Sequence, residues 1–230
     1  MVIQSMIVDL NLKGKHVIVV GGGTEGMRKV NALLGQGCSK ITVISDRFNK
    51  YLRDQEKAGK IEAVRMKVKD AGSALDAYDR PFMVLASTDD RELNRRLCQK
   101  GREKGAFVYS VDDPAYSDFS YASVINIEGV MQVAISTSGK SPIMARQIRI
   151  RAERVLKRII KKSDIENARL QEFARNAARP RLQTVEQRKE FLYSIIRDAR
   201  IQKLIKEDRI EEAKRATLEL LEEWVEKKSK

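Results

Sequence analysis

The sequence predicts an α/β fold: a parallel sheet with crossover helices, then a β-rich segment, then an α-helical C-terminal domain. Three observations carry that expectation. Short apolar runs alternate with amphipathic stretches as far as Tyr109. Two β-rich runs joined by Glu128-Gly129 follow Pro114. From Ser141 onward helical periodicity dominates.

The elements follow in order. His16-Val-Ile-Val-Val20 is continuously apolar, as a strand buried on both faces must be. Met27, Val30, Leu33 and Leu34 recur at helical spacing, and Gly35 and Gly37 close that helix. Ile41 to Ile44 is the second strand, a charged helix spans Asn49 to Ala58, and a weak strand covers Ile61 to Val64. Phe82 to Ala86 is the fourth strand. Arg91 to Lys104 is amphipathic, with Leu93 and Leu97 on one side, and Phe107 to Tyr109 is the fifth strand. Strands separated by helices of this length imply βαβ units.

Tyr121 to Ile127 and Val130 to Ser136 read as an antiparallel hairpin. Short of partners within one chain, it implies a homodimer made by strand exchange or sheet extension. Ser141-Pro142 starts a helix with a hydroxyl N-cap and a proline at the first helical position. Arg179-Pro180 breaks the helical region, and Thr184 to Gln187 offers a capping box. The tail from Asp208 packs Ile210, Ala213, Leu220, Leu221 and Trp224 on one face and ends in a Lys-rich tip expected to fray. The expected division is 1–113, 114–150 and 151–230.

Bulk properties narrow the function classes. The chain has 230 residues, 42% hydrophobic and 6% aromatic, which fits a globular protein with an aliphatic core. No apolar run approaches the ~20 residues of a membrane span. Met1 to Leu12 carries Asp9 and lacks a basic leader, so it reads as mature protein. Cys38, Cys98 and His16 lack metal-ligand spacing, so no metal site is expected; the thiols read as buried in a reducing cytoplasm. The net charge of +13 is concentrated: Lys140 to Arg181 holds 13 Lys and Arg against 4 Asp and Glu. A basic face of this kind suits nucleic acid or a polyanionic small molecule. No nucleic-acid motif accompanies it.

The segment Gly21-Gly22-Gly23-Thr24-Glu25-Gly26 is a dinucleotide fingerprint in its proper context, after a strand and opening a helix. Gly21 permits the tight turn, Gly23 lets backbone approach a pyrophosphate, and Gly26 allows close helix–strand contact. The helix N-terminus presents free N–H groups to the phosphates. Asp46 ends the second strand, where an acid accepts from ribose hydroxyls and repels a 2′-phosphate, which favours NAD over NADP; neighbouring Arg47 works against that preference. The sheet is therefore expected to be Rossmann-like. Ser87, Thr88 and Asp89 end the fourth strand at the ligand edge and are read as cofactor-side residues; Thr88 and Asp89 fit the nicotinamide side, and one of them fits equally as the cap of the next helix, two compatible readings. At the end of the fifth strand, Asp112 and Asp113 are either turn residues before Pro114 or supply a general base for hydride departure.

Four ordered runs carry a family resemblance: GKHVIVVGGGTEGMRKVNALLGQGCSKITVIS, LASTDDRELNRRL, YSVDDP and VAISTSGKSPIMARQIR. Together they resemble the precorrin-2 dehydrogenase family, which includes the dehydrogenase part of siroheme synthase, over roughly residues 6 to 225. The resemblance implies a Rossmann domain, a dimerisation segment and a helical domain. It also implies oxidation of precorrin-2 to sirohydrochlorin with NAD⁺, with iron insertion as a second activity in some members. Asp112 matches the family's key aspartate, as general base. Ser141 matches a serine whose loop lies beside the tetrapyrrole, for substrate binding or loop ordering. A cleft edged by Lys140, Arg146 and Arg149 would attract the polycarboxylated substrate. Arg151, Arg154 and Arg158 follow at helical spacing and fit a solvated face as well. Two departures stand out: Gly26 where many relatives have alanine, and Asp46 where many lack an acid. No methyltransferase domain is appended, so ring methylation is expected elsewhere. The rival from another class is a non-catalytic NAD-sensing module, which would need neither Asp112 nor Ser141.

Overall fold

The computed structural model describes residues 6–228. Its parallel sheet holds β1 (His16–Val20), β2 (Lys40–Ser45), β3 (Glu62–Arg65), β4 (Met83–Ala86) and β5 (Phe107–Ser110), in the order β3-β2-β1-β4-β5. The helices between them are α1 (Thr24–Gly35), α2 (Lys50–Lys57), α3 (Ala71–Leu75) and α4 (Arg91–Glu103). All five predicted strands are present.

Alternation within the apolar runs feeds two cores. Val17 and Val19 meet Val30, Leu33 and Leu52 on one face of the sheet. Ile18 and Val20 meet Leu75, Leu93 and Leu97 on the other. Each such side chain, fully buried, contributes about 1.5–3 kcal/mol. Gly37 ends α1 as expected: at φ +69° it places its N–H on the Leu34 carbonyl and the Cys38 N–H on the Leu33 carbonyl. The helix α3 has no periodic apolar face to announce it. It forms because Asp70 caps it, accepting from the Ser73 N–H at 2.8 Å, and because Ala71, Ala74 and Leu75 are buried.

The order of strands reverses between β1 and β4. β1 leads to β2 and β3 on one side; β4 leads to β5 on the other. A crevice outside the carboxyl ends of the strands at such a reversal is where α/β sheets take ligands.

The described residues fall into two compact units, 6–121 with 138–140, and 122–137 with 141–228. The second contains the antiparallel pair β6 (Ser123–Ile127) and β7 (Met131–Ile135). Glu128 and Gly129 between them take φ +52° and +71°, the left-handed pair a tight hairpin favours. Tyr121, expected to start this strand, instead belongs to the first unit, in edge contact with Tyr109 and Phe119.

Five helices follow: α5 (Pro142–Ile159), α6 (Lys162–Ala178), α7 (Val185–Arg197), α8 (Ala199–Lys206) and α9 (Ile210–Lys228). The last four share a core of Leu170, Phe191, Ile195, Ile201, Leu204 and Leu221. The helix stop before Pro180 and both bonds of the Thr184–Gln187 capping box are where the sequence puts them. The breaks between α5 and α6 and between α7 and α8 were not foreseen. Asp198 makes the second by accepting from the Ile201 N–H at 2.9 Å. Met1–Ser5, within the stretch read as a mature N-terminus, and the last two residues of the Lys-rich tip lie outside the described residues. No described helix is long and apolar enough to cross a membrane.

Candidate functional site

The glycine turn is built by close backbone approaches. Gly21, at φ +117°, donates its N–H to the Ile44 carbonyl at 2.9 Å, and a Cβ there would lie 2.3 Å from the Ser87 carbonyl oxygen. A Cβ at Gly26 would lie 1.9 Å from the Gly21 carbonyl oxygen, so α1 closes directly on the turn. A Cβ at Gly22 would lie 2.0 Å from the Arg47 carbonyl oxygen, a constraint the fingerprint reading did not assign. Gly23 alone of the four faces open space. That is the side from which backbone can approach a ligand.

The α1 N-terminus suits an anion. Its N-cap is Gly23, which brings no side chain, so no cap closes over the first-turn N–H groups of Thr24, Glu25 and Gly26, which have no partners within the helix. In α2, α3 and α4 the corresponding position is closed by Asn49, Asp70 and Asp90. Glu25 in the first turn is ion-paired to Arg28. A further observation fits a dinucleotide: the Ser87 hydroxyl, at the strand end packed on Gly21, is buried with no hydrogen-bond partner among the described residues.

The loop after β2 is tied to the turn. Asn49 donates its backbone N–H to the Gly22 carbonyl and its Nδ2 to the Gly23 carbonyl, both at 3.3 Å. Asp46 and Arg47 are thereby held beside the glycines. Both are exposed, and neither side chain is paired with any described residue.

The loops after β4 and β5 are joined through a residue that sequence reasoning missed. Asn94, on α4, is fully buried. Its Oδ1 accepts from the Thr88 N–H (3.1 Å) and hydroxyl (2.7 Å); its Nδ2 donates to the Thr88 carbonyl (3.0 Å) and to Asp112 Oδ1 (3.2 Å). Ser110 Oγ also donates to Asp112 Oδ1, at 2.7 Å. Asp112 is exposed, with Oδ1 held twice and Oδ2 free of described partners. The helix cap is neither Thr88 nor Asp89 but Asp90, which accepts from the Leu93 N–H at 2.9 Å. Thr88 turns its hydroxyl to Asn94, and Asp89 is exposed. A polar residue interrupting the buried stripe Leu93, Leu97, Cys98 was the signal that could have found Asn94.

Asp113 is the structural member of the acidic pair. Its Oδ2 accepts from Arg95 Nε and Nη2 (3.1 and 2.9 Å) and from Arg91 (3.2 Å), while Oδ1 accepts from the Ala115 N–H. The Arg95 guanidinium, helped by that backbone N–H and Arg91, holds the Asp113 carboxyl below its usual range against the opposing effect of burial.

In the second unit, Ser141 caps α5: its hydroxyl accepts from the Met144 N–H at 3.2 Å, and its own N–H donates to Thr137 Oγ1 at 2.9 Å. Lys140, which belongs to the first unit, and Arg146 on α5 are exposed and unpaired among the described residues. Arg149 is engaged by Glu153 at 2.8 Å. His16 sits at the start of β1, away from the carboxyl ends, bonded to Thr42 Oγ1 at 2.9 Å. Both cysteines are buried thiols, and burial pushes both pKa values up. Among the described residues no group of three or more His, Cys, Asp or Glu is placed to hold a metal ion.

Comparison with known proteins agrees with this geometry. Residues 8–123 match a family model described as NAD(P)-binding, and residues 128–151 match one described as sirohaem biosynthesis protein, central. The siroheme synthase of Nitrosococcus oceani is 33% identical over 153 residues, covering 66% of this chain and 31% of that protein. The siroheme synthase of Neisseria meningitidis serogroup C is 30% identical over 181 residues, covering 79% of this chain and 35% of its own. The chain thus spans about a third of the length of these relatives. A solved structure of SirC, precorrin-2 dehydrogenase, superposes with a TM-score of 0.66 at 22% identity, over 95% of this chain and 100% of that one, which shows a shared fold.

Proposed function

The chain belongs to the NAD(P)-binding family, and on that premise we propose that it oxidises precorrin-2 to sirohydrochlorin with NAD⁺ as hydride acceptor. The observation that carries the reading is the end-on placement of Asp112. A carboxylate held by one oxygen, with the other free, stands at the same strand edge as an open glycine turn. The siroheme synthase relatives and the sirohaem match over residues 128–151 supply the substrate class.

Roles follow from the residues. Gly21, Gly22 and Gly26 shape the turn, Gly23 leaves its open side, and the N–H groups of Thr24, Glu25 and Gly26 hold the pyrophosphate. Asp46 accepts from the ribose hydroxyls and so favours NAD over NADP, with Arg47, Ser87, Thr88 and Asp89 completing the cofactor side. NAD⁺, when bound, supplies the hydride acceptor. Asp112 Oδ2 takes the proton that the substrate loses with the hydride, as general base. Lys140, Arg146 and Arg149 recognise substrate carboxylates, and Ser141 orders the turn that carries Lys140 and caps α5, which carries the two arginines. Releasing Arg149 from Glu153 is part of that assignment.

We further propose a cytoplasmic homodimer formed through residues 114–150, between the dinucleotide-binding part, 1–113, and the helical part, 151–230. In support, β6 and β7 pair only with each other, so each has an outer edge free of other described strands. The test of cofactor and substrate is turnover of enzymatically generated precorrin-2. We expect NADH and the sirohydrochlorin spectrum to appear together with NAD⁺. Absence of turnover with both NAD⁺ and NADP⁺ would overturn the reading.

A further inference from the structure

We propose that Asn94 is a positioning residue which, together with Ser110, fixes Asp112 by its Oδ1 and so presents Oδ2 as the atom that receives the proton. The inference deepens the assignment above and rests on Asp112 being the proton acceptor.

An asparagine amide has two donors and two acceptor lone pairs. In Asn94 all four are used: both lone pairs by Thr88, one N–H by the Thr88 carbonyl, the other by Asp112. Only one orientation of the amide works. Turned over, Oδ1 would face the Thr88 carbonyl and the Asp112 carboxylate, oxygen against oxygen. Asparagine is also a poor choice for a helix interior, and costly in a core unless satisfied. Its place between Leu93 and Leu97 on the buried face of α4 is accounted for by what it joins. It links the loop after β4 to the acid after β5, across neighbouring strands that meet at the ligand edge. An exposed carboxylate on a loop would otherwise lose orientation to rotation about its own side-chain bonds. With Oδ1 held from two directions, at 2.7 and 3.2 Å, that rotation is blocked. A hydrophobic residue of similar size at position 94 would fill the core equally well but would release both Thr88 and Asp112.

The test uses the full chain with Asn94→Asp, which turns the donor facing Asp112 into an acceptor without changing size, and with Ser110→Ala. In each variant kcat for precorrin-2 oxidation should fall about tenfold or more, a part of the roughly hundredfold or greater contribution of a general base. KM and NAD⁺ affinity should stay within about twofold, a split that loss of folded protein does not produce. Wild-type kcat in either folded variant would overturn the proposal. A second readout needs neither turnover nor a folded Asn94 variant: the side-chain amide proton resonances of Asn94, assigned by NMR in the wild-type chain and in Asp112→Ala. They should shift when Asp112 is removed; unmoved resonances would overturn the link. A wild-type chain that fails to oxidise precorrin-2 while those resonances do shift would contradict the substrate and leave the Asn94–Asp112 link standing.

Discussion

Gly22 and Arg47 touch through their backbones: a Cβ on the glycine would lie 2.0 Å from the arginine's carbonyl oxygen. The contact ties the phosphate turn to the loop that carries Asp46. Both sides are main chain, so nothing flexible can yield. Gly22→Ala should therefore cost about 1–3 kcal/mol of stability, as overpacking does, and displace Asp46. Thermal melting should show the loss, and titration with NAD⁺ should show weakened binding beyond it. A variant with wild-type melting and NAD⁺ affinity would mean that the turn relaxes freely.

Asp46 stands exposed and unpaired among the described residues, available to ribose hydroxyls. For Asp46→Ala we expect NAD⁺ to bind about tenfold more weakly, the value of one charge-assisted hydrogen bond, with discrimination against NADP⁺ reduced. Parallel titrations with the two dinucleotides check this. An unchanged preference would remove Asp46 from the specificity account.

Asp113 predicts a stability effect where its neighbour predicts a catalytic one. Its folded pKa is depressed, chiefly by Arg95, so its contribution is present above the unfolded value near ~3.9 and is lost as pH falls through the folded value. Asp113→Asn should melt several degrees lower at neutral pH, and the difference should close in acid. A constant difference across that range would show that charge is not the cause.

Lys29 on α1 stands 4.0 Å from the ring centroids of both Tyr109 and Tyr121. Burial, opposed by Glu25 and aided by Arg28, pushes its pKa down to about 8. A lysine depressed in the folded state gives up its proton there before it does so in the unfolded chain. The contribution of Lys29 to stability should therefore rise with pH from about 8 toward 10, opposed in the upper part of that range by the buried thiols of Cys38 and Cys98 and then by Tyr109 and Tyr121, all of which ionise more readily once unfolded. Lys29→Met should flatten that rise and melt higher at pH 7, in urea or thermal series. A variant that keeps the wild-type slope would place its origin elsewhere.

Much of this was legible from residues alone, and the exceptions have physical causes. The central strands announced themselves because a sheet covered on both faces demands continuous apolar runs, such as Val17 to Val20, whereas the edge strand Glu62–Arg65 is only partly buried and was correspondingly weak in sequence. The glycine turn was legible because the backbone approaches closely at Gly21 and Gly26 in this chain, and glycine stands at both. Gly22 was not, since its neighbour Arg47 is distant in sequence and meets it only in the fold. Periodicity found Leu93 and Leu97 and passed over Asn94, whose burial depends on partners from two other loops. It also could not separate Asp112 from Asp113. Adjacent acids differ only in where the chain turns them, one toward Asn94 and Ser110, the other toward Arg91 and Arg95.

The most direct test sets the wild-type chain beside Asp112→Ala, with precorrin-2 and NAD⁺. The account predicts NADH formation by the wild type, and a variant that folds and binds NAD⁺ normally yet turns over about a hundredfold or more slowly, as loss of a general base entails. Turnover by Asp112→Ala at the wild-type rate would contradict it, and would move the proton to another group.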